Sequence, residues 1–154
     1  MKAQIIVTGN KFLGSKFRAI GPVIEEIIAS AQKEIIIVSY VMTGSINDLL
    51  AHLENALKRN IKIKMILNNL DEKDIRLNEW IQNAKSNYTN FSYKIVSDEN
   101  IKLHAKVIIV DRIRAVIGSA NLTWSGMTTN YEVGMYMEGP EIWDLSTLID
   151  LTFT

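Results

Sequence analysis

Residues 34 to 42 read EIIIVSYVM, and this short run constrains the fold more than any other stretch of the chain. Ile35, Ile36, Ile37 and Val38 are β-branched in succession, which favours extended backbone over helix. The run is continuous rather than alternating, so the strand it forms is covered on both faces. Such a strand belongs in the middle of a layered sheet with helices packed on its two sides. The flanking sequence supplies helices. In GPVIEEIIASAQK, Val23, Ile24, Ile27, Ile28 and Ala31 make a helical stripe, with Pro22 expected at the first helical position. In SINDLLAHLENALKRN the stripe is Leu49, Leu50, Leu53, Ala56 and Leu57. Ser45 with Asp48 three residues on reads as a capping-box variant, and Asn60 reads as the stop.

The same grammar extends in both directions. QIIVTG precedes the first helix as a strand. IKIKMIL, the more polar helix DEKDIRLNEWIQNAKSN and the strand FSYKIV follow the second. Strand and helix therefore alternate through the first half, which is the pattern of a parallel sheet. The second half changes character. AKVIIVD, RAVIGS and YEVGMYMEG succeed one another across short connections, so at least one hairpin joins the sheet, and PEIWDLSTLIDLTF closes the chain as an amphipathic helix. The expectation is an α/β fold with a mixed, largely parallel β-sheet flanked by helices, as a single domain over residues 1–154.

Charge and composition narrow the function classes. Seventeen basic residues balance 17 acidic ones, which gives no support to a generally basic nucleic-acid binder, though a local patch is compatible with that total. There is no cysteine, so disulfides and thiolate metal sites are excluded. IIIVSYVM is far short of a membrane span, and the apolar part of MKAQIIVTGNK is too short for a secretory signal, so the chain reads as cytoplasmic.

Two features invite functional readings that do not hold. GNKFLGSK follows a strand as a phosphate-binding loop would, but Ser15 precedes Lys16 where that loop needs Lys before Ser or Thr. Lys11, Lys16 and Arg18 leave a positive stretch able to face an anionic substrate, although a solvated loop explains it better. His52 has no second His or Cys one turn away, and reads as a helix-surface residue. Trp80, Trp124 and Trp143 are scattered, and core or rim packing accounts for them. No metal-ligand spacing occurs in the chain.

Residues 102 to 124, KLHAKVIIVDRIRAVIGSANLTW, are different. In extended backbone, residues two apart point to the same side, so His104 and Lys106 project together and Asp111 faces away. Ser119 and Asn121 share a side by the same parity. An imidazole, an ammonium, a hydroxyl and a carboxamide converging in this way suit an oxyanion: Lys and Asn donate to its oxygens while His attacks or protonates. Taken one residue at a time, a strand end with unrelated polar groups explains them better; taken as four converging groups, the site explains them better.

The run HAKVIIVD followed by GSAN resembles the HKD motif of the phospholipase D superfamily, with His104, Lys106, Asp111, Gly118, Ser119 and Asn121 in register. NYEVGMYME is similar to the continuation of that family, and puts Glu132 at its acidic position. AQKEIIIVSYVMT and LENALKRNIKIKMILNN are similar to its first strand-helix-strand units. The resemblance implies a phospholipase D-like fold and cleavage of phosphodiesters with no metal or other cofactor, through a covalent phosphohistidine. It implies that His104 attacks phosphorus, that Lys106 and Asn121 hold the non-bridging oxygens with Ser119 assisting, and that Glu132 accepts a hydrogen bond from the imidazole. Asp111 and Gly118 are then structural. The chain carries one such motif where many relatives carry two, as in the short bacterial nucleases of the family, which build one site from two subunits. The implied protein is a homodimeric nuclease acting on DNA or RNA. A lipid hydrolase, or a non-catalytic nucleic-acid-binding domain of a larger restriction or repair protein, is the alternative.

Overall fold

The computed structural model describes residues 1–12, 14–96 and 98–153. The first strand, β1 (Lys2–Thr8), leads through a loop to a two-residue strand, β2 (Arg18–Ala19), and the helix α1 (Ile20–Ala29). Then come β3 (Glu34–Ser39), α2 (Asn47–Lys58), β4 (Lys62–Leu67), α3 (Ile75–Asn87) and β5 (Phe91–Ile95). The second half adds β6 (Val107–Val110), β7 (Arg114–Gly118), the short helix α4 (Trp124–Thr128), β8 (Glu132–Glu138) and α5 (Ile142–Phe153). Among the described residues the strands form one eight-stranded sheet in the order β2-β1-β8-β7-β6-β3-β4-β5. β3, β4 and β5 pair in parallel, as do β1 and β2, while β6 and β8 run against their neighbours. The sheet is mixed, as the sequence implies, but not largely parallel: four of its seven strand pairings are antiparallel, because β6 and β8 return between strands that run the other way.

β3 is covered on both faces. Ile35 and Ile37 enter one cluster with Ile24, Leu53 and Ile81 of α1, α2 and α3. Ile36 and Val38 enter a second cluster with Ile142 and Ile149 of α5. All four β3 side chains are at most 2% exposed. Burial at this level contributes roughly 1.5–3 kcal/mol per side chain before conformational entropy is set against it. β3 is therefore the rigid centre against which the neighbouring strand ends are held.

Several helix ends differ from the sequence reading. α1 begins at Ile20, so Pro22 is its third residue rather than its first. Proline is tolerated there because the N–H groups of a first turn have no partner within the helix. α2 begins at Asn47 and its flanking residue Ile46 makes no side-chain cap. Ser45 is drawn elsewhere: its Oγ lies 2.6 Å from the Thr43 hydroxyl and accepts from the Trp124 N–H at 3.2 Å. The stop after α2 is as expected, with Asn60 in the left-handed region at φ 63°. α3 is capped by Asp74, whose carboxylate accepts from Leu77 N–H at 3.0 Å and from Gly44 N–H at 2.8 Å.

Candidate active site

At one end of the sheet the carboxyl ends of β1, β3, β4 and β7 meet the amino ends of β6 and β8. Crevices outside the carboxyl ends of parallel strands, where strand direction or order switches, are where such sheets bind ligands. His104 and Lys106 lie here, in an extended segment just before β6 rather than within a strand as the sequence suggested. Their shared side is nevertheless retained. Lys106 Nζ is 3.4 Å from His104 Nδ1 and donates to the His104 carbonyl at 3.0 Å. His104 is exposed and Lys106 half-buried.

Two residues outside the motif hold this pair. Tyr40, at the carboxyl end of β3, sets its ring 4.5 Å from the imidazole at an interplanar angle of 47°, and the Lys106 ammonium stands 5.5 Å from the same ring. Asn68, just past β4 and buried, accepts from the Leu103 N–H at 2.9 Å and so fixes the backbone entering His104. Neither is prominent in the sequence. The available signal was position: each is a polar side chain directly after a buried parallel strand.

The second half of the motif lies beside the first. Val107 pairs with Ile117, and the Gly118 N–H reaches the Lys106 carbonyl at 3.4 Å. Gly118 faces Gly134 across β7 and β8, and a Cβ on Gly118 would sit 2.8 Å from the Gly134 Cα. The missing side chain is what lets the two backbones approach. Ser119 follows, with its N–H on the Val133 carbonyl at 3.1 Å and its Oγ accepting from the Val133 N–H at 3.2 Å. Asn121 is half-buried, and its Oδ1 has no hydrogen-bond partner among the described residues. It is held by the loop after β3: Leu122 and Met42 bridge, with Leu122 N–H to Val41 O and Thr43 N–H to Leu122 O, each 3.1 Å.

Glu132 departs from expectation. Its carboxylate accepts from the Ser119 hydroxyl and, at 3.3 Å, from the Asn130 amide, and no hydrogen bond joins it to His104. The strand order explains this: β7 stands between β8 and β6, and with Gly118 opposite Gly134 the β8 end carrying Glu132 lies beside Ser119 rather than beside the segment before β6. Asp111 is at the opposite end of β6 from His104. It occupies the β6–β7 turn in the left-handed region (φ 55°), followed by Arg112 at φ 58°. Its carboxylate accepts from the N–H groups of Gln32, Lys33 and Glu34 at 3.0, 2.7 and 3.1 Å, and from Arg114 at 2.9 Å. Burial opposes its charge, but the Gln32, Glu34 and Lys33 N–H groups and the Arg114 guanidinium hold its carboxyl below the usual range. It ties the turn to the α1–β3 loop, far from His104.

The groups gathered at this end of the sheet are a cation, an imidazole, a hydroxyl and a carboxamide, a set whose chemistry suits an oxyanion. Among the described residues no three His, Cys, Asp or Glu side chains come together in a metal-binding group. No helix among them is long and apolar enough to cross a membrane.

Comparison with known proteins agrees with this fold. The family model described as the phospholipase D-like domain of cardiolipin synthase matches residues 24–148. The chain belongs to the phospholipase D superfamily, a family of phosphodiesterases. It is 31% identical over 122 residues to the DISARM protein DrmC of Bacillus paralicheniformis, an alignment covering 78% of this chain and 50% of that protein. The chain thus spans about half the length of that curated relative. Among solved structures it is similar to the phospholipase D family member Nuc from Salmonella typhimurium, with a TM-score of 0.72 and 21% identity, covering 96% of this chain and 91% of that one. It is likewise similar to NucT from Helicobacter pylori, with a TM-score of 0.74 and 20% identity, covering 97% and 94%.

Proposed function

We propose that this chain is a metal-independent phosphodiesterase that cleaves DNA or RNA through a phosphohistidine, at a site shared by two copies. The observation that carries the reading is the exposed His104–Lys106 pair, braced by Tyr40 and set at the sheet end beside Ser119, Asn121 and Glu132. His104 Nε2 attacks phosphorus, since Lys106 lies on the Nδ1 side of the ring. The bond to the leaving oxygen breaks as the His104 of a second copy protonates that oxygen. Water then attacks the phosphohistidine, giving its proton to the second imidazole, and the phosphorus–nitrogen bond breaks. Lys106 and Asn121 donate to the non-bridging oxygens, where charge grows in the transition state. Glu132 acts through Ser119, whose hydroxyl it orients.

The likeness to Nuc and NucT over nearly their whole lengths supports nucleic acid as the substrate. The test is incubation with labelled single-stranded DNA, duplex DNA, RNA and phosphatidylcholine vesicles in excess EDTA. Cleavage of a nucleic acid by the native chain, and not by His104→Ala, is expected. Turnover of the lipid alone, or of nucleic acid only after a divalent ion is added back, would overturn the proposal.

A further inference from the structure

The loop after β1, read from sequence as solvated, does not stand apart from the site. Thr8 pairs with Glu132, so the loop leaves the sheet beside the residue that holds Ser119. It meets Tyr131, the residue before Glu132, whose Cα is about 3.8 Å from that of Glu132. The Tyr131 ring is held closely. It lies over Gly9, at φ 121°, where a Cβ would come within 2.5 Å of a ring carbon. Phe12 packs edge-to-face against it at 5.7 Å and 85°. The Lys11 ammonium stands 5.9 Å from its centroid. Yet Tyr131 remains 58% exposed. Lys11 forms no ion pair among the described residues, whereas Arg18, in β2 at the far end of this loop, is paired with Glu26.

A fixed, exposed aromatic ring with an unpaired ammonium beside it matches what an unpaired nucleotide needs. The base finds a π-face already ordered, and its phosphate finds a cation. The contrast with Trp143 is informative. That ring is as exposed, at 58%, but it faces Arg112, which is itself bonded to Glu34 and Asp150. There is no spare charge there for a phosphate.

We propose that Tyr131 and Lys11 form a nucleotide-stacking subsite next to the reacting phosphate, taking an unpaired base of single-stranded DNA or RNA. The proposal rests on the nuclease reading above, and its test separates the two. Binding of fluorescent oligonucleotides is measured by polarisation on the His104→Ala protein, so that no cleavage intervenes. Tyr131→Ala in that background is expected to weaken single-strand binding roughly 5- to 100-fold, and Tyr131→Phe to leave it nearly unchanged. Duplex binding is expected to respond little to either. Lys11→Ala is expected to flatten the salt dependence of single-strand binding by about one ion. Equal affinity of the Tyr131→Ala and parent proteins for single strands overturns the subsite and leaves the nuclease reading standing. An equal loss on duplex overturns the stacking assignment. Absence of any oligonucleotide binding by the parent removes both. Dissociation of a dimer by Tyr131→Ala, seen by sedimentation, assigns the ring to a subunit contact and also overturns the subsite.

Discussion

His104 is exposed and belongs to neither hydrophobic cluster, so its removal is separable from the packing of the core. His104→Ala is expected to abolish hydrolysis with an unchanged melting temperature; a variant that keeps near-native turnover would remove His104 as the nucleophile. Lys106→Ala is expected to lower kcat on the order of 10²-fold, the scale of losing one charged donor to a transition-state oxyanion. Tyr40 contacts both groups through its ring and not its hydroxyl. Tyr40→Leu is therefore expected to reduce kcat well below that of Tyr40→Phe. Equal kcat values would show that the ring does not position the pair. The His104–Lys106 pairing was readable from sequence because extended chain keeps its period of two even where no ladder forms. The partner of Glu132 was not readable, since it depends on how β8 registers against β7. Tyr40 and Asn68 escaped because chain folding, and not sequence proximity, brings them to His104.

At the scale of elements, the motif divides into a chemical end and a structural end, joined by the four buried residues of β6. Asp111 works at the structural end. Burial disfavours its charge, and the three N–H groups and Arg114 more than compensate, so its folded-state pKa is depressed. A depressed carboxylate contributes stability that is fully present above its unfolded pKa of about 3.9 and is lost as pH falls through the folded value. Asp111→Asn is expected to cost about 1–3 kcal/mol in urea unfolding at neutral pH, and to flatten the acid limb of the stability curve. An acid limb identical to that of the native chain would contradict the assigned anchoring. Gly118→Ala drives a methyl group toward the Gly134 backbone and should lower the melting temperature by separating β7 from β8. The long periodic elements were visible in sequence because each presents a full apolar stripe or run. β2 and α4 span two and five residues, too few to show any period. The start of α2 was misplaced because Ser45 accepts from the first residue of α4, Trp124, rather than capping its own helix.

For the whole molecule, the topology explains how two separated stretches of sequence reach one end of the sheet. Six strands run one way and β6 and β8 return, so both halves of the motif finish at the same end of the sheet. Sequence indicated strands alternating with helices and at least one hairpin in the second half, but not the order of the strands in the sheet. What sequence also could not supply was the loop after β1 lying against Tyr131, since nothing local in GNKFLGSK specifies that contact. The chain has two histidines, and the other, His52, lies on α2. In the proposed mechanism one imidazole attacks while another protonates the leaving oxygen, so a two-fold pair of chains must supply both. The decisive measurement is the turnover of purified heterodimers that join one native subunit to one His104→Ala subunit. A shared site is expected to leave almost no multiple-turnover activity, because every heterodimer lacks either the nucleophile or the acid. Retention of about half the native activity, as independent sites would give by subunit counting, would contradict it.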